Sequence, residues 1–155
     1  MNYSNLIANH LNQVYFGGNW TASNLMAVLD DVSLDKASTK VKDLNTILAL
    51  SFHIHYYLKG TMDGIKNGEL TIRDKFSFDH PTLSTESDWQ DFKNTMWAEA
   101  KEFILLIEKL DDQLLHSDFI DKKYGSYYRN LMGIIEHTHY HLGQIVVLKK
   151  MIDFA

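Results

Sequence analysis

Cysteine is absent from the 155 residues, which excludes disulfides, thiolate metal ligands and a catalytic thiol, and is ordinary in a reducing compartment. Proline occurs once, at Pro81, so long uninterrupted helices are permitted over most of the chain. No stretch approaches the roughly 18 uncharged apolar residues of a membrane span, and the opening segment MNYSNLIANHLNQ has neither the basic nor the apolar region of an export signal. A soluble cytoplasmic protein without a membrane partner is the expectation. A Lys/Arg-rich run is also missing: the net charge is -5 and acidic and basic residues interleave, so the electrostatic footprint that phosphate backbones require is not there. Nucleic acid is therefore not an expected partner.

What is present is apolar periodicity. A chain of this length with 45% hydrophobic residues fits one domain over residues 1–155, because it can bury most of its apolar surface around a single core. Leu6, Ile7, His10, Leu11, Val14 and Tyr15 recur at helical spacing and predict a first helix over Ser4 to Phe16, ended by Gly17-Gly18. Thr21 reads as the N-cap of a short helix from Ala22 to Leu29, followed by a connection over Ser33 to Ala37. A second long helix is predicted from Ser38 or Thr39 to Lys66, with Val41, Leu44, Ile47, Leu48, Ser51, Ile54, His55, Leu58 and Met62 on one face. The period breaks over Asn67 to Ser84, where a structured loop with a short extended piece is expected. Thr85 and Asp88 form a capping-box pattern opening a third helix that runs to Leu110, and a fourth runs from Ser126 to Ile152. Amphipathic helices without a convincing sheet predict an all-α four-helix bundle.

The chemistry lies in the histidines. Residues four apart on a helix stand about 40° apart around the axis with Cβ atoms roughly 5 to 6 Å from each other, so His137 and His141 share a face. Two imidazoles so placed reach one metal ion together, which is why this spacing recurs in helical metal sites. His139 points to the far side of the same helix and cannot join them. The spacing alone carries little weight: eight histidines among 155 residues give about 0.4 such pairs by chance, and two hydrogen-bonded core-edge histidines would look the same. A useful site needs a third ligand, since three protein ligands plus an open position is the usual catalytic arrangement. The segment SFHIHYYLKG offers two. The helical wheel puts His55 in the main apolar stripe and His53 on another face near Thr46, Ala49 and Tyr57, so periodicity prefers His55 as the buried one, whereas the smaller, amphipathic neighbours of His53 suit a polar cavity.

The segment EHTHYHLGQIVVLKK, with His137 and His141 followed by Gly143-Gln144-Ile145, resembles the last-helix signature of the DinB-like superfamily. LSFHIHYYLKG, GGNWTASNL, IRDKFSFD and YGSYYRN are similar to a Bacteroidetes-type subgroup of it, so the resemblance covers nearly the whole chain. It implies a four-helix bundle, often a homodimer, holding a nickel or zinc ion between one histidine of the second long helix and the last-helix pair. By residue match the ligands are His53, His137 and His141, with His55 as the alternative to His53. Some relatives are thiol S-transferases and others thiol-dependent isomerases, and the family name does not imply DNA binding.

The resulting expectation is a metal-dependent enzyme, transferase or hydrolase, acting on a small molecule. The rival is a non-catalytic bundle with a structural metal or none, serving dimerisation or partner binding. Glu136, Tyr140 and Gln144 are the polar neighbours of the pair, and Gln144 faces most nearly the same way, suited to hold a histidine or a ligand. Tyr57 and Tyr127 are candidate cavity residues, and Arg73, Asp74 and Lys75 either cover the site or form a solvated charge run. His10, His80 and His116 stand apart from one another and form no second site.

Overall fold

The computed structural model of the chain describes residues 2–154. Six α-helices follow in order: α1 (Tyr3–Phe16), α2 (Leu25–Leu29), α3 (Leu34–Ser38), α4 (Ile47–Asn67), α5 (Glu86–Glu108) and α6 (Tyr127–Asp153). Among the described residues there is no strand, only an isolated bridge between Asp118 and Ser126. The fold is all-α. No helix is long and apolar enough to cross a membrane. Every α-helix opens on an Asn, Ser or Thr whose side chain accepts a backbone N–H three residues on: Asn2, Asn24, Ser33, Thr46, Thr85 and Ser126. Each such cap is worth about 1 kcal/mol over alanine, and at Thr85 the backbone N–H donates in return to the Asp88 carboxylate, which completes the expected capping box.

The caps also correct three boundaries. Thr21 is not an N-cap; its hydroxyl donates to Asn19, and Asn24 starts α2 instead. The stretch expected as a plain connection contains α3, because Ser33 supplies a cap of its own. The second long helix begins at Ile47 rather than at Ser38 or Thr39. Val41 and Leu44 keep the apolar period, but Lys42 has φ 50, a left-handed conformation that no α-helix continues through. Thr46 then caps the new start.

The four long helices close a ring of contacts, with α1 against α5 and α6 and α4 against the same two. Trp89, Tyr15, Phe103, Leu11, Leu58 and Ile145 fill the middle, each essentially without solvent exposure. The Trp89 indole donates to the Val32 carbonyl at 2.7 Å, which ties α5 to the α2–α3 turn. The buried Lys93 donates to the carbonyl of Leu29 at 3.2 Å, giving the end of α2 a cationic partner.

Two glycines on α4 decide how the loops lie. Gly60 and Gly64 are buried, and a Cβ on either would run into Ile72 or Ile120. The missing side chains let the 69–80 segment and the 117–125 segment settle on the helix backbone. Tyr56 Oη clamps the first of these, donating to the Arg73 carbonyl at 3.0 Å and accepting from its N–H at 2.9 Å. The short extended piece expected here does not form a strand; the segment carries a 3-10 turn over Asp74–Phe76.

Candidate metal centre

α4 and α6 pack side by side, and their facing surfaces bring three imidazoles together. The ring centroids lie 4.8 Å apart for His53 and His137, 4.7 Å for His53 and His141, and 4.5 Å for His137 and His141. One ligand nitrogen from each lies within 4.8 Å of the others, so the three form a group that can hold a metal ion. His53 and His141 are buried, at 7% and 8% exposure, and His137 is half-buried.

Partners for the rings come from the backbone and from one amide. His53 Nδ1 lies 3.2 Å from the Ser77 carbonyl, an acceptor only, so Nδ1 carries the proton and Nε2 keeps its lone pair. Gln144 Oε1, 2.8 Å from His141 Nδ1, sets the same tautomer there. Hydrogen bonds of this kind orient metal-binding histidines and raise their basicity. His137 Nδ1 is buried without a hydrogen-bond partner among the described residues, a costly state that coordination through that nitrogen would relieve. The donor set thus fits a divalent ion on the evidence of its own hydrogen bonding. Burial holds all three rings below the usual imidazole pKa, with His141 adding to the effect on His53 and His137, and His137 falls to about 4. At neutral pH the rings are uncharged, the form in which imidazole coordinates.

Aromatic walls surround the triad. Phe78 stacks on His53 with centroids 4.0 Å apart and planes 8° from parallel. Tyr57 meets His53 and His137 edge-on at 5.0 and 4.9 Å, and its hydroxyl donates to Asp74 at 2.9 Å. On the His137 side a cavity of about 590 Å³ opens between α4, α6 and the two docked segments; Tyr57, Thr61, Arg73, Asp74, Arg129 and Glu136 are among its lining residues.

The chain matches no family model, no curated protein and no solved structure.

Each residue singled out from the sequence now has a place. The triad is His53, His137 and His141; His55 is not part of it. The wheel preferred His55 as the buried ring, yet α4 is covered on two sides and both rings are enclosed, His53 by α6 and His55 by α5. His55 Nε2 stands 2.9 Å from Glu99 Oε2, outside hydrogen-bond geometry. Burial, helped by Lys59, lowers its pKa to about 4. His139 faces α1, its ring 6.2 Å from that of His10. Gln144 and Tyr57 belong to the site, whereas Tyr127 packs on Phe119 at 5.1 Å. Arg73 and Asp74 line the cavity, and Lys75 turns to the Phe76 ring. His80 bonds the Pro81 carbonyl, and His116, exposed, ends a 3-10 turn. Ser77, Phe78, Arg129 and Gly133 were not singled out; the alternating FSFD pattern inside a glycine-bounded loop and the charge in YYRN just past the last helix start were the available signals.

Proposed function

We propose that the chain is a DinB-like protein, a four-helix bundle of α1, α4, α5 and α6 in which His53, His137 and His141 hold a zinc or nickel ion that serves the conversion of a small molecule by thiol S-transfer or hydrolysis. The observation that carries this reading is the convergence of three uncharged imidazoles from two helices beside a cavity, with two of the tautomers set by Ser77 and Gln144. His53, His137 and His141 would hold the ion, and an ion with three protein ligands would supply a position at which the pKa of a water or thiol is lowered toward neutrality.

The remaining parts act through the chain's own side chains. Phe78 and Tyr57 wall the triad with apolar ring surface, which excludes bulk water and strengthens electrostatic interactions inside. The Ser77 carbonyl and Gln144 hold the rings in register. A cavity of about 590 Å³ reaching His137 is of a size that suits small ligands. That cavity favours a catalytic over a purely structural ion, because structural sites are closed. Pairing of two copies in the cytoplasm belongs to the same reading; the exposed apolar stripe of Tyr140, Val147 and Met151 on α6 supports it.

Elemental analysis of protein purified without an affinity tag, alongside His137→Ala and His141→Ala, tests the proposal. About one zinc or nickel per chain, lost in both variants while circular dichroism keeps the helical signal, is the expected result. Metal-free wild-type protein that does not take up either ion would sink it, and unfolding of both variants would make the ion structural.

A further inference from the structure

Arginine is used twice in this chain, at Arg73 and Arg129, and both side chains line the cavity that reaches His137. None of the lysines does. The cations of the ion pairs elsewhere are lysines: Lys36, Lys59, Lys66, Lys123 and Lys149, with His55 the one other basic partner. Among the described residues neither arginine lies within ion-pair distance of a carboxylate. Arg129 spends one of its five N–H donors on the Tyr124 carbonyl at 2.8 Å. A guanidinium is a planar fork that matches the two oxygens of a carboxylate or phosphate, which an ammonium does not.

Both arginines are exposed at the cavity, and each is anchored at one point. Arg73 is pinned through its backbone by Tyr56. The aliphatic part of Arg129 lies over Gly125, where a Cβ would come within 2.9 Å of Arg129 Cδ. Arg129, Gly133 and His137 follow one another at four-residue spacing on α6, so one helix face runs from guanidinium to imidazole over about 12 Å of rise. Gly133 sits midway, with no atom within 4 Å of where its Cβ would be, and leaves the floor between them open. Two acids share the cavity: Asp74, which accepts from the Tyr57 hydroxyl, and Glu136, which is exposed.

We infer that the cavity takes small molecules carrying an oxyanion, a carboxylate or a phosphate, which Arg73 and Arg129 grip together while the reacting end of the molecule lies against the histidines. The inference rests on the reading of this cavity as a substrate site. The arginines position the substrate through its charged end, and a neutral molecule of the same shape binds less well.

The two Nε–H resonances of the protein's two arginines give a direct test. Metal-free protein is titrated with inorganic phosphate and, separately, with succinate, which distinguishes a phosphate from a carboxylate preference. Both signals shift along one saturating curve, and Arg73→Gln or Arg129→Gln weakens binding at the remaining arginine about ten-fold, the effect of losing one charge-assisted hydrogen bond. His55→Ala, on the α5 side of α4 and outside the cavity, leaves this anion binding in place. Shifts that do not saturate, or two signals that follow independent curves and ignore each other's substitution, mean an adventitious ion only and overturn the inference. Cobalt(II) loading, read by its visible absorption, separates the two readings. Protein that binds the anions but not cobalt keeps the oxyanion site and loses the metal centre; cobalt binding that persists without any anion response does the reverse.

Discussion

His53 and His55 lie two residues apart on α4 and meet opposite surroundings. His53 faces α6, with two further imidazoles within 4.8 Å and a carbonyl on Nδ1, and one of those imidazoles, His137, lines a cavity. His55 faces α5, with Phe92 and the Glu99 carboxylate for neighbours and no further imidazole beside it. Burial lowers the pKa of both rings. Burial and a shifted pKa therefore do not distinguish a ligand from a packing residue here; the convergence of several lone pairs on one point does.

Substitution should split the two faces widely. Replacing His53 with alanine removes a ligand and is expected to weaken zinc or nickel binding by more than about 100-fold, beyond what loss of a ligand's hydrogen-bond partner costs. His55→Ala leaves that affinity as it was, by competition with a chromophoric chelator. Equal losses in the two variants would erase the contrast. Gln144→Ala takes away the acceptor on His141 Nδ1 without touching a ligand, and affinity falls by about ten-fold to 100-fold in the same titration.

Acid provides a third way to part the faces. The folded-state pKa of His137 and of His55 is about 4, below the ordinary 6.5. The unfolded chain therefore takes up protons first, and metal-free protein loses stability as pH falls from 6.5 toward 4, with no such loss above 6.5. Glu99, whose carboxyl burial pushes up, works in the opposite sense on the His55 side. Metal binds the rings in the uncharged form they already hold, so saturation raises the melting temperature without changing this slope down to about pH 4, and the curves with and without metal converge only below that, where protons compete with the ion for His137. Curves that already converge just below pH 6.5 would show that the folded rings keep an ordinary imidazole pKa.

Two glycines make the smallest contrast. Gly60→Ala drives a methyl into Ile72 and is expected to cost about 1 to 3 kcal/mol by denaturant unfolding, the usual penalty for overpacking. Gly133→Ala meets open space in the middle of α6 and should stabilise by about 0.5 to 1 kcal/mol. Destabilisation by both would mean that the cavity is filled where Gly133 leaves it open.

The readable and unreadable parts of the sequence differ by range. The His137–His141 pair, the Thr85 capping box and the extent of α6 follow from spacings of three and four residues, and each stands as expected. The start of α4 does not, because Val41 and Leu44 keep the apolar period while the backbone leaves the helix at Lys42. The wheel ranked His55 above His53 since it assumes one buried face, and α4 has two. Ser77 and Phe78 reach His53 only because a distant segment docks on Gly60 and Gly64, and no local pattern announces such a contact.

The Ser77 carbonyl on His53 comes from a part of the chain 24 residues further on. Occupancy of the centre and anchoring of that segment are thereby thermodynamically reciprocal: whatever factor the ion adds to the docked population, docking adds to the ion's affinity. A protease nick between Asp74 and Phe78 would therefore register as metal release, and chelation would register as faster cleavage there.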